Sequence, residues 1–505
     1  MDNAESFRPL SDMIAAHAAA RPDAAALIQD EARLSYAALN ARMDRIAATL
    51  QREGVNPGEA IAICAGTSLE YASLFLGALR TGVAAAPIAP SSTPEAIAGM
   101  AADCGAALFF IDAETAAALA PVRDAIKAKL IALDRAAFEA WLAPEGAKPT
   151  PTPVTAEMPF NIIYSSGTTG APKGIVQSHG MRFGHIQRAV AMGYSPGAVA
   201  LLSTPLYSNT TLVAFFPTLG LGGSVVLMKK FDAARYLALA ETHRATHTML
   251  VPVQYSRLMA HPDFDKHDLA AFQMKFCTSA PFSAALKAEV LTRWPGGLVE
   301  YFGMTEGGGT CVLAAHLFPD KLHTVGMPAP GHDIRVIDEE GRELPRGEVG
   351  EIVGRSELMM SGYHNRKEQT DAAIWTSPEG LAFIRTGDVG RFDAEGFLEL
   401  MDRKKDMIIS GGFNIYPSDL EAVLRQHPDV ADAAVVGAPS AEWGETPVAF
   451  VVSRGAGAEE IRAFANAKLG KTQRLSALEL IDELPRSHIG KVLKRELRDA
   501  FLERL

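Results

Sequence analysis

Apolar positions along the first three hundred residues alternate between two rhythms. Behind Ser35, Leu39, Met43, Ile46 and Leu50 recur at spacings of four, three and four, which predicts a capped helix with one buried face. The short apolar runs Ala60–Cys64, Ala84–Ile88 and Ala107–Ile111 predict strands, with helical stretches such as Leu69–Leu79 between them. The alternation returns with Ser224–Met228, a helix near Ala233–His243, the run Thr248–Val251 and a helix through Gln254–Met259. Strands separated by helices imply a parallel sheet wound on both sides, hence an α/β fold. The most hydrophobic window, Leu212–Met228, is interrupted by Pro217, Gly220, Gly222 and Gly223 and reads as buried strand and turn rather than a membrane span. A Pro-rich stretch, Lys148–Met158, reads as a surface connection, and no internal repeat of fixed period is found. From Gly331 to Leu400 the strands are short and the turns polar (Glu339–Gly341, Pro345–Gly347, Asp393–Gly396), as in a small β-rich subdomain. A charged bend at Asp402–Asp406 then leads into a separate helix–strand–helix pattern, which places a domain boundary there.

Composition narrows the function classes. At 505 residues, 48% hydrophobic, the chain has length for about three to five folding units and ample apolar surface to bury. Its net charge of −11, without a basic block, argues against nucleic acid as a partner. The four cysteines, Cys64, Cys104, Cys277 and Cys311, lie far apart, so neither a disulfide framework nor a zinc site is expected and a reducing cytoplasm fits. The start, MDNAESFRPL, has no basic n-region followed by an apolar stretch, so no signal peptide is expected. No basic amphipathic helix is evident either, so no membrane association is expected.

The chemistry concentrates in Tyr164–Gly174, YSSGTTGAPKG. Gly167 and Gly170 let the backbone turn its N–H groups toward one point, an anion nest. Ser165, Ser166, Thr168 and Thr169 add hydroxyl donors and Lys173 a movable positive charge, a set suited to a triphosphate. It is not a Walker A loop: Gly470–Lys471–Thr472 would need glycine at 465, where Ala stands. Gly220–Leu221–Gly222 lacks the third glycine of a dinucleotide fingerprint, because position 225 is Val.

YSSGTTGAPKG resembles the phosphate loop of the adenylate-forming superfamily, which includes acyl-CoA synthetases, peptide-synthetase adenylation domains and luciferases. Three further stretches resemble that family in its order: YFGMTEGG (Tyr301–Gly308), the segment Thr386–Glu421 and LPRSHIGKVLKREL (Leu484–Leu497). The resemblance implies a large N-terminal domain, 1–403, of two α/β subdomains and a small β-barrel, followed by a mobile α+β C-terminal domain, 404–505. It implies an ATP-dependent carboxylic acid–CoA ligase that uses Mg²⁺, ATP and coenzyme A, forming an acyl-adenylate and then an acyl-CoA.

Site residues follow from the same resemblance. The phosphate loop contributes Ser165, Ser166, Gly167, Thr168, Thr169, Gly170 and Lys173, and Phe302 stacks on adenine with Gly303 and Met304 beside it. Ala280 and Pro281 border the adenine edge, with Ser279 where the family more usually has Gly. Thr305 matches the α-phosphate contact and Glu306 the magnesium ligand, in keeping with magnesium's preference for hard oxygen donors. Asp388 and Arg403 match the ribose contacts, Lys405 the hinge and Lys491 the lysine of adenylation. The physical task of that lysine is to bridge two anions, a carboxylate and the α-phosphate it attacks. Pro485 to Lys491 also resembles the motif read by lysine acetyltransferases; acetylation would remove the charge and silence the first half-reaction. Gly411, Gly412 and Phe413 match the pantetheine tunnel, with Trp443, Lys471 and Arg474 as candidates for the CoA nucleotide. Homodimers are common among similar ligases.

The resemblance also implies an acid pocket near Phe183, Tyr207, Ser208, Asn209, Tyr255, Gly303 and Gly308. The segment PLYSNTT carries no acid to pair with an α-ammonium group, which disfavours an amino acid. Tyr207, Ser208 and Asn209 suit a flat ring bearing a phenolic hydroxyl, so a hydroxycinnamate or benzoate-type acid is expected, with a medium- or long-chain fatty acid as the alternative. A non-catalytic nucleotide-binding regulator is disfavoured by the presence of Lys491, Glu306 and Asp388.

Overall fold

The structure is a computed structural model that describes residues 6–164, 172–403, 406–410, 413–440, 443–470, 473–487 and 490–504, with backbone only at 402, 403, 413 and 414. The chain divides into two compact units. The first comprises Met1–Leu322, Ala329–Asp333 and Arg355–Ile384; the second comprises His323–Pro328, Ile334–Gly354 and Arg385–Leu505. Compactness is a different quantity from motion, and the boundary expected between 403 and 404 is of the second kind.

The first unit is α/β. Ser35 Oγ accepts from Ala38 N at 3.2 Å to start the helix Tyr36–Arg52, whose Leu39, Met43, Ile46 and Leu50 are fully buried, as their spacing predicts. Ser68 caps the helix Leu69–Leu79 in the same way. One seven-stranded sheet takes its strands in the order Gly362–Tyr363, Gly174–Ser178, Pro159–Tyr164, Ala84–Pro87, Ala60–Cys64, Leu108–Ile111 and Lys129–Ala132. From Pro159–Tyr164 onward the neighbours are parallel, and the first two pairings are antiparallel. Alternation splits the strand Ala60–Cys64 between two cores: Ile61 and Ile63 join the largest one, while Ala60, Ala62 and Cys64 face another. A second sheet runs Thr310–Ala314, Gly297–Gly303, Met274–Cys277, His247–Leu250, Val199–Leu202, Ser224–Leu227, Ala25–Gln29 and Ala32–Ser35. Its six inner strands are mutually parallel and its two named ends antiparallel.

One element departs from expectation. Residues Asn209–Gly220 form a helix rather than a strand, followed by a turn and the strand Ser224–Leu227. Leu212, Ala214, Phe215, Phe216 and Leu219 are buried together with Thr210, Thr211 and Thr218, so burial extends round nearly the whole helix and shows no period. An unbroken apolar run cannot be assigned to helix or strand by periodicity. Pro217 also argues against a helix, since proline inside one forfeits a hydrogen bond; here it lies near the end, where its carbonyl still accepts from Leu221 N at 3.0 Å.

The second unit joins a β-sheet to an α+β region. Asp333–Ile337, Gly350–Arg355, Ala382–Phe392 and Leu398–Arg403 lie side by side. The polar turns are as expected: Asp393 Oδ1 accepts from Glu395 N and Phe397 N, and Gly396 closes the turn at φ +90°. Beyond it, Phe413–Ile415, Ile408–Ser410, Gly444–Ser453 and Val430–Ser440 form an antiparallel sheet, and Ala477–Leu480 adds in parallel to Gly444–Ser453. The helices Pro417–Leu424 and Ala458–Lys468 contribute Leu420, Leu424, Ile461 and Ala465 to its own core. All four cysteines are free and buried, and burial pushes their thiols up, Cys64 to about 12 and Cys104 to about 11. Among the described residues no helix is long and apolar enough to cross a membrane.

Candidate active site

The Gly/Ser/Thr motif bridges two antiparallel strands, and Tyr164 pairs with Gly174 as the last rung before it. Residues Ser165, Ser166, Gly167, Thr168, Thr169 and Gly170 lie outside the described residues. Both flanks are well tied. Tyr164 Oη donates to Met100 O at 3.0 Å and Asp103 Oδ2 at 2.9 Å, and Arg366 holds the other oxygen of Asp103 at 2.8 Å. A Cβ on Gly174 would stand 2.7 Å from Ile162 and 3.3 Å from His364, so a side chain here would force Ile162 to move. Lys173 Nζ lies 4.9 Å from the centre of the Tyr363 ring, a cation–π contact. The same tyrosine donates from Oη to Glu306 Oε1 at 2.9 Å; burial first, then the Glu306 charge, push its phenol well above the ordinary value.

The Thr305–Glu306 loop is fixed from two sides. Gln177 Nε2 donates to Thr305 O at 2.7 Å, while Met360 N donates to Glu306 O at 2.8 Å and Ser356 Oγ to Gly307 O at 2.9 Å. Gly307 has φ +75°, and a Cβ there would come within 2.1 Å of Leu358 O, which explains the glycine. Phe302 is half-buried on the preceding strand, paired with Cys311, with Gly303 exposed, Met304 half-buried and Gly308 buried. The structure thus gathers Lys173, Thr305 and Glu306 around Tyr363 and Gln177.

The expected acid-binding residues divide. Tyr207 shares a hydrogen bond with Ser91, and burial, against the lowering effect of that bond, raises the phenol to about 12. Tyr255 is fully buried, stacks on Phe282 at 5.1 Å and donates to Phe276 O at 2.9 Å. Phe183 packs edge-on against Phe7 at 5.7 Å. Ser208 is buried at the head of helix Asn209–Gly220, and Tyr207 and Asn209 are half-buried. Asn209 Oδ1 accepts from Arg182 Nη2 at 2.9 Å. Arg182, Asn161 and Gln177 were missed by sequence reasoning, although each interrupts an apolar face: Asn161 within PFNIIY, Gln177 within GIVQS, and Arg182 on the buried helix side shared by His179, Phe183 and Ile186.

Ser279 accounts for its own departure from the family pattern. It holds φ +81°, a left-handed conformation that favours glycine and costs another residue about 1–3 kcal/mol. A 2.7 Å hydrogen bond between its Oγ and Thr210 Oγ1 helps retain it there. Ser279→Gly is therefore expected to exceed Ser279→Ala in stability by about 1 kcal/mol, because only glycine relieves the backbone while both lose the bond. Thermal unfolding of the two variants checks the order; an alanine variant as stable as the glycine one would remove the strain argument. Ala280 is half-buried and Pro281 exposed beside it.

In the second unit Asp388 and Arg403 are direct partners across the antiparallel ladder. Thr386 Oγ1 accepts from Asp388 N at 3.0 Å and donates to Ile352 O at 2.8 Å, with Gly387 at φ +71° between them. Lys491 is half-buried in a tight return: its carbonyl accepts from Ser487 N at 2.8 Å, its N–H donates to Ser487 Oγ at 3.2 Å, and Gly490 before it has φ +77°. Of the basic residues that follow it, Lys494 pairs with Glu421 at 2.9 Å and Arg498 with Glu445 at 3.2 Å. Trp443 N donates to Ser440 Oγ at 3.2 Å, Arg474 is exposed, and Phe413 pairs with Ser410 through its backbone. Lys405, Gly411, Gly412 and Lys471 lie outside the described residues.

Comparison with known proteins is consistent across sequence and structure. Residues 14–364 match the AMP-binding enzyme family and residues 419–491 the AMP-binding enzyme C-terminal domain. The fatty acid–acyl-carrier-protein ligase ScoC of Streptomyces coeruleorubidus is 32% identical over 96% of this chain and 95% of its own. A feruloyl-CoA synthase of an Amycolatopsis species is 33% identical over 95% and 96%. The crystal structure of ATP-bound MatB from Rhodopseudomonas palustris superposes with a TM-score of 0.88 at 29% identity, covering 97% of this chain and 99% of that one.

Proposed function

Because the chain belongs to the AMP-binding enzyme family, within the adenylate-forming superfamily, we propose that it is an ATP-dependent ligase joining a phenolic aromatic acid, of the hydroxycinnamate or benzoate type, to coenzyme A. The observation that carries the nucleotide half of this reading is the clustering on Tyr363, which bonds Glu306 through its hydroxyl and lies under the Lys173 cation. A cation and a carboxylate fixed by one side chain beside a Gly/Ser/Thr loop suit a magnesium-bound polyphosphate.

In the first half-reaction a carboxylate oxygen attacks the α-phosphorus of ATP, the bond to the β-phosphate bridging oxygen breaks, and pyrophosphate leaves. The loop Ser165–Gly170 and Lys173 take the departing phosphates, Thr305 the α-phosphate, Phe302 the adenine, and Asp388 with Arg403 the ribose. Lys491 bridges the attacking carboxylate and the α-phosphate, offsetting the repulsion of two anions at the point of bond formation. Glu306 would hold magnesium through the hard carboxylate oxygen that the ion prefers, and the ion when bound would neutralise charge on the phosphates. The domain beyond Lys405 then pivots, and the CoA thiolate, led past Gly411, Gly412 and Phe413, attacks the acyl carbonyl and expels AMP. Trp443 and Arg474, with Lys471, are the candidates to hold the CoA nucleotide.

Similarity to the feruloyl-CoA synthase and the polar pair Ser208–Asn209 support the aromatic acid. Similarity to ScoC supports a fatty acid as the second reading. The test measures AMP release from ATP and magnesium, with and without CoA, on p-coumarate, ferulate, benzoate and octanoate. CoA-dependent turnover highest on the cinnamates is expected. Preference for octanoate would replace the acid and keep the mechanism, and turnover indifferent to CoA would move the acyl group to another acceptor.

A further inference from the structure

Four polar side chains of the first unit form one hydrogen-bonded chain through its core. Arg182 donates from Nη2 to Asn209 Oδ1 at 2.9 Å and from Nε to Asn161 Oδ1 at 3.0 Å. Asn161 Nδ2 donates to Gln177 Oε1 at 2.9 Å, and Gln177 Nε2 to the Thr305 carbonyl at 2.7 Å. Asn161 and Gln177 are fully buried and Arg182 is 1% exposed, its guanidinium 5.9 Å from the Phe160 ring centre and 5.3 Å from that of Phe216. No carboxylate pairs with it among the described residues, and burial pulls its pKa down to about 9. Keeping a cation there is costly unless its hydrogen bonds are retained, so the arrangement admits little slack.

The chain also has a direction. A guanidinium donates and never accepts, so both asparagines must turn their oxygens toward Arg182. Asn161 is left to donate to Gln177, and Gln177 to donate to Thr305 O. At the other end Asn209 keeps Nδ2, a donor, on a half-buried side chain that opens the helix Asn209–Gly220.

We infer that Arg182 is a positioning residue that sets the hydrogen-bond polarity of the acid pocket and ties that pocket to the Thr305–Glu306 loop. Through Asn209 it presents a donor and so selects acyl groups carrying an acceptor oxygen. Through Asn161 and Gln177 it holds the Thr305 carbonyl in place. The inference rests on the preceding reading, in which Asn209 faces the acid and Thr305 and Glu306 face the phosphates.

Two variants and matched acids test it: 4-methoxycinnamate against 4-ethylcinnamate, and 7-oxooctanoate against octanoate, the members of each pair having the same heavy-atom skeleton length and differing by one acceptor oxygen. Asn209→Asp keeps the shape, gives Arg182 a carboxylate and removes the donor. Its melting temperature is expected to match or exceed the wild type, while the preference for the oxygen-bearing acid falls by about tenfold through KM. Gln177→Leu cuts the other arm, and its kcat for acyl-adenylate formation is expected to fall by about tenfold with KM and preference unchanged. A purely structural role would lower stability without dividing KM from kcat in this way. Retention of the wild-type preference by Asn209→Asp, or of wild-type kcat by Gln177→Leu, would overturn the inference. A wild-type protein that adenylates none of the four acids would sink the functional reading instead. In that event a melting temperature of Asn209→Asp below the wild type would still overturn the fixed polarity, and one at or above it would support it.

Discussion

Lys491→Ala is expected to lower acyl-adenylate formation by about 10²–10³-fold while leaving thioester formation from preformed acyl-adenylate within a few-fold of the wild type. Charge repulsion between carboxylate and α-phosphate belongs to the first step only, because the second brings a thiolate to a carbonyl whose leaving group is already made. Resemblance gives this task to Lys491, and Ser487 and Gly490 fix the return that carries it. Lys494 and Arg498 on the following helix pair with Glu421 and Glu445. Pyrophosphate exchange measures the first step, and CoA consumption with synthetic acyl-AMP the second. Equal losses in both would make Lys491 structural. Lys494→Ala serves as the contrast, expected to affect stability rather than adenylation.

Lys287→Met is expected to destabilise the protein by about 3–5 kcal/mol, because it strands a buried carboxylate. Lys287 and Glu300 form an ion pair with side chains only 2% and 5% exposed, and Lys287 Nζ also donates to Leu322 O at 2.8 Å. Burial pushes the Glu300 carboxyl up to about 7, against the lowering effect of Lys287. A folded pKa above the unfolded value of about 4.3 means that the native state binds the extra proton between those limits. The stability this group contributes is therefore present at low pH and lost as pH rises through about 7. Without Lys287 the carboxyl rises further, so the loss should be larger at pH 8 than at pH 5.5. Urea unfolding at the two pH values decides this, and a loss below about 1 kcal/mol, or one equal at both, would count against the pairing as a determinant. Glu300 lies two residues before Phe302, the residue proposed to stack on adenine, on the same strand.

What was legible in the sequence was whatever rests on local periodicity and capping. The helix behind Ser35, the helix Leu69–Leu79 and the strand Ala60–Cys64 needed no tertiary information, because the core merely accepts faces that the chain already presents. The site's residue types were legible through resemblance, and their order along the chain was enough to imply adenylation chemistry. Three things were hidden for physical reasons. The helix Asn209–Gly220 is buried nearly all round, which erases the period that marks a helix. The hydroxyls of Tyr207 and Tyr255 turn toward Ser91 and Phe276 O, and a side chain's partner across many residues leaves no local trace. The chain from Arg182 to Thr305 joins residues 161, 177, 182, 209 and 305, visible beforehand only as polar interruptions of apolar faces.

The four buried cysteines give the protein an analytical property. Thiolate, not thiol, attacks disulfide and alkylating reagents, and all four groups are both enclosed and held protonated. A colorimetric thiol reagent added to the folded enzyme with CoA therefore reports the free coenzyme, with the protein as a silent background. The same reagent in denaturant meets four new sulfhydryls, so the rate at which colour develops becomes a clock for opening of the first unit, which holds Cys64, Cys104, Cys277 and Cys311.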